Sequence, residues 1–273
     1  MHSAVAAVTD LPYVPASKAF QGLACLATEH PAKRALSGEA DGMDEVEPII
    51  ARLNGIDPTR PYFDPLAAEE ALRRHARLIG FRDPTFSWAM GPLEASNELD
   101  GVDFESPAGC RWHLTMQALQ DQAQADLQRD KAAWQTYGKA QDAAETRIAE
   151  TLHLEPFRLA LFDLILGDAG QRSHNVAYLV SSALRDVIAS GPVESEQLED
   201  LNDAYRPFAD ALLAGLGSFW VIGEKFICLP LPRLSLKDGK LIADGSPAAV
   251  WPNGEVYASG DEGLVPVPQS VDS

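Results

Sequence analysis

The side chains that could do chemistry are few, and no motif links them. Asp163, Asp168 and His174 flank one interhelical turn and come nearest to a metal-ligand set, although the same types in the same place also read as loop capping groups. Ser173 and His174 are a nucleophile and a base by type, but adjacent residues do not face one another on a helix. His113 follows Trp112 in an amphipathic segment, where a packed or solvent-facing imidazole is the plainer reading. His75 stands among Arg73, Arg74 and Arg77, whose charge would depress its pKa and remove it as a base near neutrality. Those arginines read as a solvated cluster matched to a helix dipole, with an anion site as the sharper alternative. Glu224 and Glu255 fall at hairpin turns, where carboxylates are solvated rather than paired for acid–base work. Cys25, Cys110 and Cys228 lie far apart and make no C-x-x-C, which excludes a zinc site built from local cysteine pairs. No P-loop, dinucleotide-binding glycine motif, H-E-x-x-H, G-x-S-x-G or EF-hand loop occurs. No catalytic residue, metal or cofactor is therefore assigned.

The elements that must position these groups are mostly helical before residue 216. Residues 1–15 read as a surface arm and 32–42 as a loop, with a short helix from Ser17 to Thr28 between them. Asp44 begins a helix that Asn54-Gly55 stops, and a second runs from Leu66 to Ile79 with Gly80 as its terminating glycine. Asp83 to Met90 reads as extended. Trp112 to Leu152 is the longest helical region, which Gly138 would divide; packing along the body is the plainer expectation and a projecting hairpin the alternative. Glu155–Leu166 is apolar nearly all round, so it belongs in a core. Val176–Ala189 carries a buried stripe, and Glu194–Leu213 is one helix kinked at Pro207.

From Leu216 the pattern changes to strand formers separated by turns. Phe219–Ile222 and Lys225–Leu229 flank Gly223-Glu224; Asp238-Gly239, Asp244-Gly245 and Asn253-Gly254 mark further turns, Asp238-Gly239 as a type I′ hairpin. The fold class is α+β: a mostly helical body over 1–215 and a C-terminal antiparallel β-meander over 216–273 packed on it as one unit, with a tail after Gly260 that is loose at its end. Trp88, Phe219, Trp220, Trp251 and Tyr257 are expected to meet, either as the core between meander and helices or as an aromatic groove. Trp88, Trp220 and Trp251, with Arg233 and His174, are the candidate ligand-binding residues.

Two patches carry a resemblance. The segment Asp238-Gly239-Lys240-Leu241, Gly245, Pro247-Ala248, Trp251 and Asn253-Gly254, preceded by Phe219-Trp220 and Pro230–Pro232, resembles the C-terminus of an uncharacterised bacterial protein family with a Trp-rich strand pair and a D-x-x-G-R-L-H-x-x-D-G-P-A repeat. The run A-R-L-I-G-F-R-D-P-T-F-S-W-A-M-G-P-L is similar to that family's N-terminal segment. The family's usual His is Ile242 here, one Trp is Phe219, and Ser-Pro becomes Gly91-Pro92. The resemblance implies a shared fold and no particular activity.

Composition narrows the function classes. A net charge of -18 disfavours direct binding to nucleic acid or to an anionic membrane surface, both of which call for basic surface. Sparse cysteines and the lack of a basic segment leading into an apolar run predict a cytoplasmic protein. The leading expectation is a non-enzymatic interaction protein that recognises another protein. The alternatives are an enzyme with its site between the meander and the Asp168–His174 turn, and an acidic nucleic-acid mimic.

Overall fold

Carboxylates and glycines set many of the element ends. The computed structural model describes residues 43–162, 173–260 and 263–267; the expected arm and helix before residue 43, Cys25, Asp163, Asp168 and the chain end lie outside them. Helix α1 spans Met43–Asn54. Helix α2 (Pro65–Leu78) starts where the Asp64 carboxylate accepts the Ala67 N–H and Pro65 fills the first turn. It ends before Gly80, whose φ of 80° a side chain would resist. Then follow β1 (Thr85–Trp88), α3 (Pro92–Leu99), α4 (Arg111–Arg129), α5 (Lys131–Thr151) and α6 (Glu155–Phe162). After them come β2 (His174–Asn175), α7 (Val176–Ser190), α8 (Glu196–Tyr205) and α9 (Pro207–Leu213).

Two helical expectations are corrected. The long region breaks at Asp130, not Gly138, because Asp130 takes an extended backbone and its carboxylate accepts the N–H groups of Ala132 and Ala133. Gly138 stays helical inside α5, and a methyl there would meet nothing within 4 Å. Gly138→Ala is therefore expected to stabilise the protein by about 0.5–1 kcal/mol, seen as a raised thermal midpoint; an unchanged or lowered midpoint would refute it. Pro207 does not kink one helix but opens α9, where its missing N–H costs nothing. The α4–α5 hairpin lies along the body: Trp112, Met116, Ala123, Leu127, Tyr137, Ala144 and Ile148 are buried. Among the described residues no helix is long and apolar enough to cross a membrane.

The C-terminal strands are β3 (Leu216–Ile222), β4 (Lys225–Pro230), β5 (Arg233–Leu234), β6 (Leu236–Lys237), β7 (Lys240–Leu241), β8 (Pro247–Val250), β9 (Val256–Gly260) and β10 (Gly263–Pro266). Asp238 (φ 53°) and Gly239 (φ 76°) both take positive φ, as a type I′ hairpin between β6 and β7 demands. The chain is α+β with a C-terminal set of antiparallel strands. Its first hairpin is not a separate layer, however. β4 also pairs in parallel with β1, and β3 pairs with β2, giving the order β1-β4-β3-β2. A boundary at 215/216 thus runs through a sheet that takes strands from both sides of it. The second sheet has the order β10-β9-β8-β5. After Gly260 the chain adds β10, which pairs along β9 and buries Leu264, while the end expected to be loose lies outside the described residues.

Candidate functional site

Strand register decides which aromatic residues share a face. Trp88 pairs with Cys228, Cys228 with Phe219 and Phe219 with His174, so these four form one row across the sheet. Ser87, Ile227 and Trp220 form the adjacent row, which points the other way because side chains alternate along a strand. Trp88 and Trp220 therefore lie on opposite faces, and Trp251 stands next to the other sheet, edge-on to Tyr257 at 5.1 Å. Arg233 is exposed on β5 opposite Val250. The expected grouping of Trp88, Trp220, Trp251, Arg233 and His174 is thus corrected: the structure does not bring them to one groove. Trp220 and Trp251 are buried, and Trp88 is half-buried with its Nε1–H donating to Glu69 at 3.1 Å.

The face that carries Phe219 is filled by rings from the helices. Phe208 stacks on Phe219 at 5.4 Å, Trp112 meets it edge-on at 5.7 Å, and His174 lies 4.0 Å from Trp112. His75 is completely buried behind them. Its Nε2 accepts the Trp112 Nε1–H at 2.8 Å, which fixes the proton on Nδ1, where it is donated to the Ala204 carbonyl at 2.6 Å. Burial pushes the His75 pKa down to about 4, against the raising effect of the Ala204 bond. His174 is pushed to about 3, first by burial and then by the nearby imidazoles of His113 and His75.

The arginines do not cause the His75 shift. Arg73 pairs with Glu69 at 3.1 Å, Arg74 with Asp210 at 2.9 Å and Arg77 with Glu70 at 3.2 Å, so the sharper anion-site reading gives way to ion pairs. Glu224 and Glu255 are not idle turn carboxylates either. Glu224 accepts the N–H groups of Asp83 and Arg82 and pairs with Arg111 at 2.7 Å; these bonds, led by Asp83, hold its pKa below the usual carboxylate range. Glu255 accepts the Leu93 N–H at the start of α3. Both tie C-terminal turns to the helical body. Among the described residues no three His, Cys, Asp or Glu side chains are grouped so as to hold a metal ion.

A cleft of about 690 Å³ opens on another side of the body, between α5, α6 and α7. Ile148, Leu152 and Leu154 give it an apolar wall; Arg185, Arg158 and Glu145 give it a charged one. Behind this wall lies Asp186, fully buried on α7. Its Oδ1 accepts from Gln141 at 2.9 Å and from Arg185 Nε at 3.2 Å, while its Oδ2 lacks a close hydrogen-bond partner among the described residues. Burial pushes the Asp186 pKa up to about 6, outweighing Arg185 and Gln141, and Glu145 adds to the rise. The Tyr137 hydroxyl is pushed up by burial and by the neighbouring Asp186.

Sequence reading missed this cluster, although a signal was present. Leu179, Ala183, Asp186 and Ser190 recur at steps of three and four, which places an acid on the buried stripe of α7. No family model, curated protein or solved structure matches the chain.

Proposed function

We propose that this chain is a recognition protein, without catalytic activity of its own, which takes a segment of another protein into the cleft between α5, α6 and α7. The cleft carries this reading: its volume lies in the range of ligand sites, and a lining that is mostly polar and charged meets the edges of the largely buried Ile148, Leu152 and Leu154. The ring-filled sheet face supports it from the other side, since both nitrogens of His75 are already engaged there. A net charge of -18 favours association with a partner of opposite charge. The proposal includes a fold shared with the bacterial family that the chain resembles. Its two patches pack together: β1 lies beside β4, and a methyl on Gly91 would collide with the side chains of Asn253 and Glu255.

The test places a photo-cross-linking residue at the exposed cleft position Ala149, with a control at Leu93, which is 61% exposed on α3. Irradiation in the native cells is expected to give a discrete protein adduct from Ala149 and none from Leu93. The purified partner should then bind the wild type saturably and bind Arg158→Ala at least tenfold more weakly. Equal adducts from both positions, or none from Ala149, would remove the reading.

A further inference from the structure

The Arg185 guanidinium carries five N–H donors and uses one in a hydrogen bond within the described chain, Nε to Asp186 Oδ1. Glu145 Oε2 stands 3.6 Å from Nη1, beyond hydrogen-bond range, and it belongs to a side chain that is 69% exposed and therefore strongly screened. Among the described residues Nη2 is buried without a partner. The Arg185 side chain as a whole is only 13% exposed. A cation this enclosed, with donors unmatched, stands ready for an acceptor that enters from the cleft it lines.

We infer that the cleft takes a carboxylate carried on an aliphatic body, the carboxylate against Arg185 and the body along Ile148, Leu152 and Leu154. This rests on the recognition reading above and names its chemistry. A chain end with an aliphatic last residue has this form, and so does a free aliphatic acid. The anion enters at Nη1, displacing the loose Glu145 contact, and a small rotation of the guanidinium brings Nη2 to the second oxygen. The groups that face Arg185 allow this. Asp186, itself held by Gln141, contacts only the Nε side of the guanidinium, so the Nη1 and Nη2 edge is left for a further acceptor. At the rim, Glu155 is already paired with Arg158 at 2.9 Å.

Calorimetric titration of the full chain tests it with three probes: N-acetyl-Ala-Ala-Leu with a free carboxylate, the same peptide as its C-terminal amide, and hexanoate. The acid peptide is expected to bind at least tenfold more tightly than the amide, and Arg185→Gln to erase that difference. Equal binding of acid and amide, no binding of either, or a difference that survives Arg185→Gln overturns the inference. Should Arg185→Gln fail to fold, the acid–amide comparison on the wild type decides alone. Hexanoate binding as tightly as the acid peptide would leave the carboxylate site standing and assign it to a free acid, against capture of a protein segment. Conversely, a partner cross-linked at Ala149 with no acid–amide difference would keep the recognition reading and remove only its carboxylate chemistry.

Discussion

Replacing His75 by alanine is expected to lower the unfolding free energy by about 3–5 kcal/mol. The variant leaves a cavity beside Phe208 and removes the partner of two buried groups, the Trp112 indole N–H and the Ala204 carbonyl. It should also alter the acid response. The folded pKa of His75 is about 4 against an ordinary 6.5, so below pH 6.5 the unfolded chain takes up a proton that the folded chain refuses. Its contribution is complete above pH 6.5 and is lost as the pH falls toward 4, at about 1.4 kcal/mol per pH unit. His174 acts with the same sign. Asp186 acts with the opposite sign: its folded pKa is raised to about 6 from 3.8, so its contribution is present below 3.8 and is lost as the pH rises through 6. Between pH 6 and 4 the wild type should therefore lose stability on acidification, while in His75→Ala the effects of His174 and Asp186 nearly cancel and the profile flattens. Urea midpoints measured across that range decide it. A variant within about 1 kcal/mol of wild type, or one that keeps the wild-type slope, would show that His75 does not hold this core together.

Features written within a few residues of one another are the ones the sequence discloses. Gly80, Asp238-Gly239 and the strands around Gly223-Glu224 all follow from local chemistry, and the structure has them where that chemistry places them. Features that depend on register between distant segments are not disclosed. Nothing in T-F-S-W says that β1 will lie parallel to a strand near residue 228, yet that pairing puts Trp88 on the face opposite Trp220 and so decides whether the indoles make a groove. The cleft is intermediate. Of its apolar residues only Ile148 lies within a helix, Leu152 and Leu154 belonging to the connection before α6, whereas Asp186 stands on the buried stripe of α7 in plain view. That Gln141 and Tyr137 wait opposite it depends on how α5 docks against α7, which no single-helix pattern contains. The turn carboxylates Glu224 and Glu255 show the same limit: a hairpin position suggests solvent, and only the docked body supplies the N–H groups they accept.

Gly215→Ala is expected to cost about 3–5 kcal/mol, because two penalties fall on one atom. Gly215 has φ 94°, a conformation that side chains resist, and a methyl there would collide with the Tyr62 carbonyl oxygen and reach the Phe63 Cα at 3.0 Å. Both contacts are backbone, so no flexible side chain can yield. The position also joins the helices to the sheet. The Gly215 carbonyl accepts the Leu231 N–H at 2.7 Å, and the neighbouring Ala214 carbonyl accepts the Asp64 N–H at 2.9 Å. The substitution therefore acts on the start of α2, the end of α9 and the last residues of β4 together. If β1 and β2 bind the C-terminal hairpin into the helical body as the register indicates, the variant will weaken both parts at once. Tryptophan fluorescence and far-ultraviolet circular dichroism should then follow one shared transition at a lower urea midpoint. Separated transitions would mean that the strands and the helices unfold independently across residue 215, and a midpoint close to wild type would mean that the chain does not pass Tyr62 at this distance. Gly138→Ala, made in the same background, supplies the contrast, since the same methyl added where nothing lies within 4 Å is expected to move the midpoint the other way.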